Sequence, residues 1–585
     1  MNTELDESIK SSSLYSEDLA PVPPEKRTWS AWHLAALWVG MAVCIPTYML
    51  ASSMIIAGFS WLEAILIVAI GNIIITIPMM LTGHAGVKYG IPFPVVGRAA
   101  FGTAGIHVAS LVRGIVACGW FGIQTWLGGL AFYAIGCVAM GVSPNADLDI
   151  GKFIGFGLFW LVNVYFIWKG TESIRWLEEW SAPILIGMGL FLIGWGWYNA
   201  GGFGIVLQQS QQLKTATAVI KTNENGSSEL LFNPIRDKDG KIKAEAYKLS
   251  GQSKWAIFGK LSELIFNPIR DKDGNIKMEA YQLLAQSEWT KIEGNAIPPL
   301  AIEGVKTAQT IQFKKGDVIS SEVTAKADPG PMTLGSRLWG YLFWLTIMVG
   351  FWGTMAISIA DITRYTKTQK DQVMGQLIGL PGTMVLYSFV GIFVTCAAVI
   401  NFGDILVGED APWDPVQLLS RFESPVVVVI AQIFMLIATL STNIAANVIA
   451  PANAFANLVP SKLSFRGGGI VTAVIGILIC PWWLLGAIIP VLLFVSGLLG
   501  PVLGVLIADY FWVRKTELNV SDLYKTDGEY GVVNVPGMLA LAIGVGVVLL
   551  GYFVPALAGL YTLSWFSGFG AAFVGYGLLA KIIKS

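Results

Sequence analysis

A chain of 585 residues that is 54% hydrophobic and only 13% charged is a poor match to a water-soluble domain, where about 25% of residues carry charge. Its net charge of −1 leaves no field to recruit nucleic acid or an acidic partner. The five cysteines, Cys44, Cys118, Cys137, Cys396 and Cys480, lie inside apolar stretches at irregular spacing, which argues against a disulfide framework or zinc site and for small packing residues.

Residues 1–28 are polar, with acidic residues, serines and the proline-rich stretch 21–24. They lack the apolar core of a signal peptide and read as a disordered tail. Apolar stretches of about 20 residues, long enough to cross a bilayer as a helix, then recur twelve times. They are centred on 31–57, 61–82, 104–140, 150–168, 178–200, 336–360, 374–401, 424–456, 467–484, 486–511, 534–553 and 558–580. The third and eighth are long enough to tilt or to run past the membrane.

Lysine and arginine favour one side of this alternation. Lys26 and Arg27 precede span 1. Lys88 and Arg98, Lys169 and Arg175, Arg364, Lys367 and Lys370, Lys462 and Arg466, and Arg514, Lys515 and Lys525 follow even-numbered spans, and Lys581 and Lys584 end the chain. The short loops opposite hold Lys152 and Arg421. Both termini are therefore expected in the cytoplasm of a multi-pass cell-membrane protein.

Between spans 5 and 6 lies a polar insert, residues 202–333, which this topology places outside the cell. It contains one motif twice, at an offset of 34 residues: Leu231-Phe-Asn-Pro-Ile-Arg-Asp-Lys-Asp-Gly-Lys-Ile-Lys-Ala-Glu-Ala-Tyr247 and Ile265-Phe-Asn-Pro-Ile-Arg-Asp-Lys-Asp-Gly-Asn-Ile-Lys-Met-Glu-Ala-Tyr281. Two copies are too few for a solenoid. Asp-Lys-Asp-Gly between flanking Ile and Tyr reads as a turn between short strands, so a small β-rich cap is expected. The Asp-x-Asp-Gly spacing lacks the remaining ligands of a calcium loop.

Irregular backbone is tolerated at membrane depth only where it lines a cavity, so helix breakers mark candidate sites. Span 1 contains Val43-Cys-Ile-Pro-Thr47, where Pro46 cannot donate an amide and frees carbonyls around Gly40 to Val43. Span 6 contains Val349-Gly-Phe-Trp-Gly353 at a similar depth. Spans 1 and 6 would open two five-helix halves, and paired breaks at corresponding positions point to an inverted-repeat binding site. In span 3, Trp120 and Gln124 are four residues apart and share a helical face. An indole plane beside a buried amide suits a flat ligand with imide edges, although a lone glutamine can equally bond a neighbouring helix. In span 8, the hydroxyls of Ser441 and Thr442, with Ala438 one turn before, could join the freed carbonyls of span 1 in a neutral oxygen cage for a monovalent cation. Ordinary helix packing explains the same residues. Asn447 lies five residues beyond Thr442, about 7–8 Å along the helix, in reach of a separate pocket. No carboxylate falls at a span centre; Asp361 and Asp509 sit at cytoplasmic ends and Glu63 at an outer one. His33, His84 and His107 read as structural, and Arg113 as a residue that snorkels to the interface.

Four stretches together resemble the nucleobase:cation symporter-1 family, and within it the hydantoin and allantoin carriers: Leu34-Ala-Ala-Leu-Trp-Val-Gly-Met-Ala42, Trp120-Phe-Gly-Ile-Gln-Thr-Trp-Leu-Gly128, Ala438-Thr-Leu-Ser-Thr-Asn-Ile-Ala-Ala-Asn447 and Leu503-Gly-Val-Leu-Ile-Ala-Asp-Tyr-Phe511. The resemblance implies an all-α, leucine-transporter-type fold of twelve transmembrane helices. Two inverted repeats (29–201 and 334–515) would flank the insert, followed by two extra helices in 516–585. It implies that Trp120 and Trp352 sandwich a heterocycle such as a nucleobase, allantoin or hydantoin while Gln124 and Asn447 bond its edge. A sodium site would fall on the carbonyls of Gly40, Val43 and Ala438 and the hydroxyls of Ser441 and Thr442. Coupling to sodium or to protons stays open, as does a same-fold carrier of amino acids or quaternary ammonium compounds. Expected partners are the bilayer and the small substrate, with no organic cofactor, no partner protein and no enzyme activity. Cys44 departs from the hydantoin carriers, which hold a glutamine near the ligand, and the insert has no counterpart in the compact members.

Overall fold

A computed structural model of the protein describes residues 7–144, 147–214, 216–222, 228–238, 241–244, 246–249, 256–257, 269–270, 276–278, 300–302, 309–327, 333–411 and 413–584. Each of the twelve predicted apolar segments is helical. Among the described residues nine helices are long and apolar enough to cross a bilayer, and the bent pair Ala31–Ala42 and Ile45–Ile56 makes a tenth. The two remaining predicted spans are shorter helices: Leu334–Phe351, ending at a break in span 6, and Phe465–Leu478 in span 9.

The packing is that of a protein dissolved in lipid. On span 2 (Trp61–Tyr89) the exposed side chains Leu66, Ile70, Ile73 and Ile77 form one helical stripe, whereas Asn72 and Thr76 are buried. Asn72 Nδ2 donates to Val68 O at 2.7 Å and Thr76 Oγ1 to Asn72 O at 2.6 Å. Polar groups thus turn inward and find backbone partners, because hydrocarbon offers none. Small residues let the helices approach. A Cβ on Gly129 of span 3 (Ile106–Met140) would lie 2.5 Å from Phe156 Cα of span 4 (Ile150–Lys169), and one on Gly155 would lie 2.3 Å from Gly129 O.

The insert carries strands, as its sequence predicts. They are β1 (Ala218–Thr222), β2 (Ser228–Phe232), β3 (Ala246–Leu249), β4 (Ala256–Ile257), β5 (Ile269–Arg270), β6 (Ile276–Met278), β7 (Leu300–Ile302), β8 (Gln309–Lys315), β9 (Val318–Ile319) and β10 (Val323–Ala327). One sheet runs in the order β4-β3-β8-β10-β1-β2-β7, with β9 paired to β8. The β1–β10 pair is parallel; the other pairs in the sheet are antiparallel. In the first motif copy Arg236 bridges Ile242, and in the second β5 pairs antiparallel with β6.

The amino-terminal tail differs from expectation. Within the predicted disordered segment 1–28, the described residues form short helical turns at Glu7–Ser11, Glu17–Leu19 and Pro24–Lys26, and Ile9 and Leu19 are buried. The reason lies in two buried guanidiniums that need acceptors. Arg98 donates to Leu14 O at 3.0 Å and Arg364 to Asp18 O at 2.8 Å. Asp18 also accepts from Phe465 N at 2.8 Å, capping the start of span 9.

Candidate functional site

Span 1 is broken where its sequence predicts. Helix Ala31–Ala42 ends at Val43 (φ −77°, ψ 77°), Cys44 is extended, and Ile45–Ile56 resumes at an angle of 61°. Pro46 sits in the first turn of the second half, where its missing amide costs nothing. The break leaves carbonyls of the first half without helical donors. Span 8 supplies one: Thr442 Oγ1, buried in Pro425–Asn447, lies 3.0 Å from Gly40 O and 3.2 Å from Met41 O. Tyr48 in the second half meets Thr395 of span 7 (Gln369–Asn401), hydroxyl to hydroxyl, at 2.6 Å.

Of the five residues read as a cation cage, Gly40 and Thr442 are therefore in direct contact. Val43 sits at the break, with its peptide turned out of the helix, and Ala438 and Ser441 are buried on span 8. The donor set is all neutral oxygen, which fits a hard monovalent cation. Ser181 of span 5 (Thr171–Asn199) joins this cluster, its hydroxyl 3.0 Å from Ser441 Oγ. A lone serine in an apolar span gave no sequence signal, so it was missed.

Span 6 breaks at Trp352 (φ −101°, ψ 8°), between Leu334–Phe351 and Gly353–Ser358. Gly350 is required by packing: a Cβ there would lie 1.7 Å from Ser496 Oγ of span 10 (Ile488–Ile507). Trp120 and Trp352 are linked through Phe351, which meets each edge-on with ring centroids 5.4 and 5.1 Å apart. Trp352 also packs edge-on against Trp38 of span 1 at 5.2 Å. The four aromatic rings form a chain from span 3 through span 6 to span 1. An apolar cavity of about 370 Å³ opens beside Trp120, lined by Gly119, Ile123, Leu484, Ile488 and Leu492 among others. Gln124, Trp352 and Asn447 do not line it.

Gln124 is buried within hydrogen-bond reach of the Cys44 thiol; among the described residues its Oε1 has no donor and Trp352 Nε1 no acceptor. Buried polar atoms of this kind are costly unless something bonds them. Asn447 ends the first helix of span 8, which is interrupted at Val448 before Ile449–Leu458. Its Nδ2 donates to Asn443 Oδ1 at 3.2 Å. Asn443 in turn donates to Thr125 Oγ1 at 3.1 Å and Asn163 Oδ1 at 3.0 Å, tying span 8 to spans 3 and 4. Asn443 lay within the quoted motif, yet its bridging role depends on partners more than 270 positions away in sequence.

Arg113 does not snorkel. It is fully buried, donating to Ser358 Oγ at 3.0 Å and Ala446 O at 3.2 Å. Asp361, also buried, interacts electrostatically with Arg113 and accepts from Phe93 N and Asn453 Nδ2, each at 3.1 Å. A buried guanidinium is tolerated because those groups replace water. The histidines have hydrogen-bond partners: His33 with Ser30, His84 with Tyr510 and His107 with Asn457.

A bundle of apolar helices, with span 1 broken at a cluster of oxygens from span 8, defines a multi-pass membrane transporter. The chain matches the family described as permease for cytosine/purines, uracil, thiamine, allantoin over residues 21–230 and 303–568. It belongs to that family and is a permease, not an enzyme. It is 31% identical to a purine-uracil permease of Arabidopsis thaliana over 94% of this chain and 73% of the relative. It is 29% identical to an allantoin permease of Bacillus subtilis over 98% of this chain and 94% of the relative. The fold is shared with Mhp1, a nucleobase-cation-symport-1 family transporter seen closed with bromovinylhydantoin bound. The TM-score is 0.66 at 21% identity, covering 98% of this chain and 96% of that one. The leucine-transporter-type architecture expected from the sequence is thus the fold of the protein.

Proposed function

We propose that the chain is a cation-coupled carrier of a small planar nitrogen heterocycle, a nucleobase or a ureide such as allantoin or hydantoin, working by alternating access. The observation that carries this reading is the contact between the broken end of span 1 and Thr442, which is next to Asn443 and five residues before Asn447 on the same helix. Trp120 would offer its indole face to the heterocycle, with Trp352 closing the aromatic chain from the other half. Gln124 and Asn447 would bond the ligand's edge, and the unpartnered Gln124 Oε1 is available to a ring N–H. Cys44 beside Gln124 narrows the polar surface relative to a glutamine, favouring a ligand with fewer acceptors on that side.

Gly40, Val43, Ala438, Ser441 and Thr442 would hold the coupling ion, and Ser181 extends the cluster toward span 5. Their neutral oxygens favour sodium over a proton, which needs a titrating group. A bound cation supplies positive charge between spans 1 and 8. By linkage, whatever stabilises that arrangement raises substrate affinity and is in turn stabilised by substrate. Both termini lie in the cytoplasm in this reading, supported by the lysine and arginine bias, and the insert faces outside.

Uptake of radiolabelled uracil, cytosine, allantoin, hydantoin and betaine into proteoliposomes tests the substrate class. Saturable uptake of a heterocycle, lost in Asn447→Ala, supports the reading. Uptake of betaine alone would favour a quaternary ammonium carrier, with the aromatic rings as a cation–π site.

A further inference from the structure

The family match breaks off at residue 230 and resumes at 303, so the heart of the insert is peculiar to this chain relative to that family's pattern. Among the described residues its strands are fastened to the segment that leaves span 7, and Arg236 is also bonded to Gln209 and Gln212 of the helix Phe203–Lys214. The segment Phe402–Ala411, which leaves span 7, is built into the insert's own core: Leu406 and Val407 are fully buried with Ile220, Leu230 and Phe313. Ile235 N donates to Leu406 O at 3.0 Å, Thr217 Oγ1 to Glu409 Oε2 at 2.9 Å and Ser321 N to Asp410 Oδ1 at 2.9 Å.

Lys243 reaches further. It is 6% exposed, and its ammonium donates to Val399 O at 2.5 Å and Phe402 O at 2.8 Å, at the end of span 7. A cation there meets carbonyls that the helix leaves without donors and the negative end of its dipole. Lys243 N also donates to Ile235 O at 2.9 Å, so the first motif copy supplies both anchors as one unit. Beyond Ala411 the chain enters the short helix Pro415–Ser420, whose Val416, Leu418 and Leu419 are buried. This helix packs on spans 3 and 8, which carry Trp120, Gln124 and Asn447.

We propose that the first motif copy is a clamp on the lid segment 402–420, with Lys243 its positioning residue, so that opening the site on this side moves insert and lid together. The clamp is independent of which substrate is carried. That the lid covers a substrate site, and that this side is the outer one, rest on the reading proposed above.

Burial, with Lys315 nearby, pushes the Lys243 ammonium down to about 8, against the pull of Asp237 and Asp404. Released into water, a lysine holds its proton to about 10.4. The clamped state therefore binds fewer protons, and raising the pH favours it. Between pH 7 and pH 9 these two values correspond to about a tenfold tightening.

The test uses the full chain in vesicles carrying Leu418→Cys, a position 1% exposed on the buried face of the lid. Reaction with a membrane-impermeant maleimide is followed by peptide mass spectrometry. Lys243→Met keeps the unbranched stem as far as Cε, removes the donors, and is expected to speed labelling about tenfold at pH 7. Lys241→Met, at an exposed position of the same motif copy, should label at the parent rate. The ratio of the Lys243→Met rate to the parent rate should widen to about a hundredfold at pH 9, and thiol ionisation cancels in that ratio. A lysine that only supports folding would not produce the pH dependence. Equal rates, or a ratio that stays flat with pH, overturn the proposal. Faster labelling seen only from the cytoplasmic side supports the clamp and overturns the topology. If Leu418→Cys does not fold, hydrogen exchange across 402–420 in the otherwise native chain reads the same opening. Equal exchange in Lys243→Met and Lys241→Met then overturns the clamp.

Discussion

Replacing Thr442 by valine keeps the shape of the side chain and removes its one oxygen. In the folded protein that oxygen, 3% exposed, bonds Gly40 O and Met41 O across the break in span 1. Without sodium the loss leaves buried carbonyls short of a donor, a cost of about 1–3 kcal/mol. With sodium it also removes one of five proposed ligands. If that weakens the site about thirtyfold, a sodium concentration 100 times the original Kd stabilises the protein by about 0.9 kcal/mol instead of about 2.7 kcal/mol. The assay is thermal unfolding of purified protein in detergent across a sodium series at fixed pH, paired with uptake over the same series. The account expects a right-shifted sodium dependence in both. Loss of the same stability with and without sodium, and an unchanged half-saturating sodium concentration, would show that Thr442 is only a packing strut and refute the cage.

Asn443→Ala should lower stability by about 2 kcal/mol by removing its bonds to Thr125 Oγ1, Asn163 Oδ1 and Asn447 Nδ2, and should also reduce substrate affinity at least tenfold; unfolding and uptake read the two effects separately. Gly129→Ala would drive a methyl to 2.5 Å from Phe156 Cα and should cost about 1–3 kcal/mol, whereas Gly136→Ala on the same helix meets open space and should be neutral in the same melt. Arg113→Met removes one of the two counter-charges of Asp361, Arg364 being the other, and should destabilise by about 1–3 kcal/mol, part of which Asp361→Asn should restore in the double variant. Trp120→Ala should abolish saturable uptake while leaving the protein monodisperse in size-exclusion chromatography; uptake unchanged from the parent would remove the indole from the site.

Much of this was legible in the residues because the bilayer leaves few choices. Runs of apolar residues announce spans, and Pro46 announces a break because a residue without an N–H cannot continue the hydrogen-bond ladder. The break in span 6 at Trp352 is legible from its flanking glycines and its depth, and the contact of Thr442 with span 1 from the hydroxyls of span 8. The docked tail was hidden because its order comes from Arg98 and Arg364, buried residues far along the chain that draw on its carbonyls. Arg113 was misplaced for a related reason: its burial is sustained by Ser358 and Ala446 O, partners that only tertiary structure brings near. Phe351, inserted between the two tryptophans, was adjacent to Trp352 in sequence, but nothing in the pattern fixed which way its ring turned.

Uptake of a labelled heterocycle by the reconstituted protein, with and without sodium at one pH, bears most directly on whether the broken first span and its hydroxyl partners couple an ion to a flat ligand. The account predicts uptake of at least one of uracil, cytosine, allantoin or hydantoin, several-fold faster with sodium and abolished in Asn447→Ala. Uptake of none of them, or uptake indifferent to both sodium and Asn447, would contradict it.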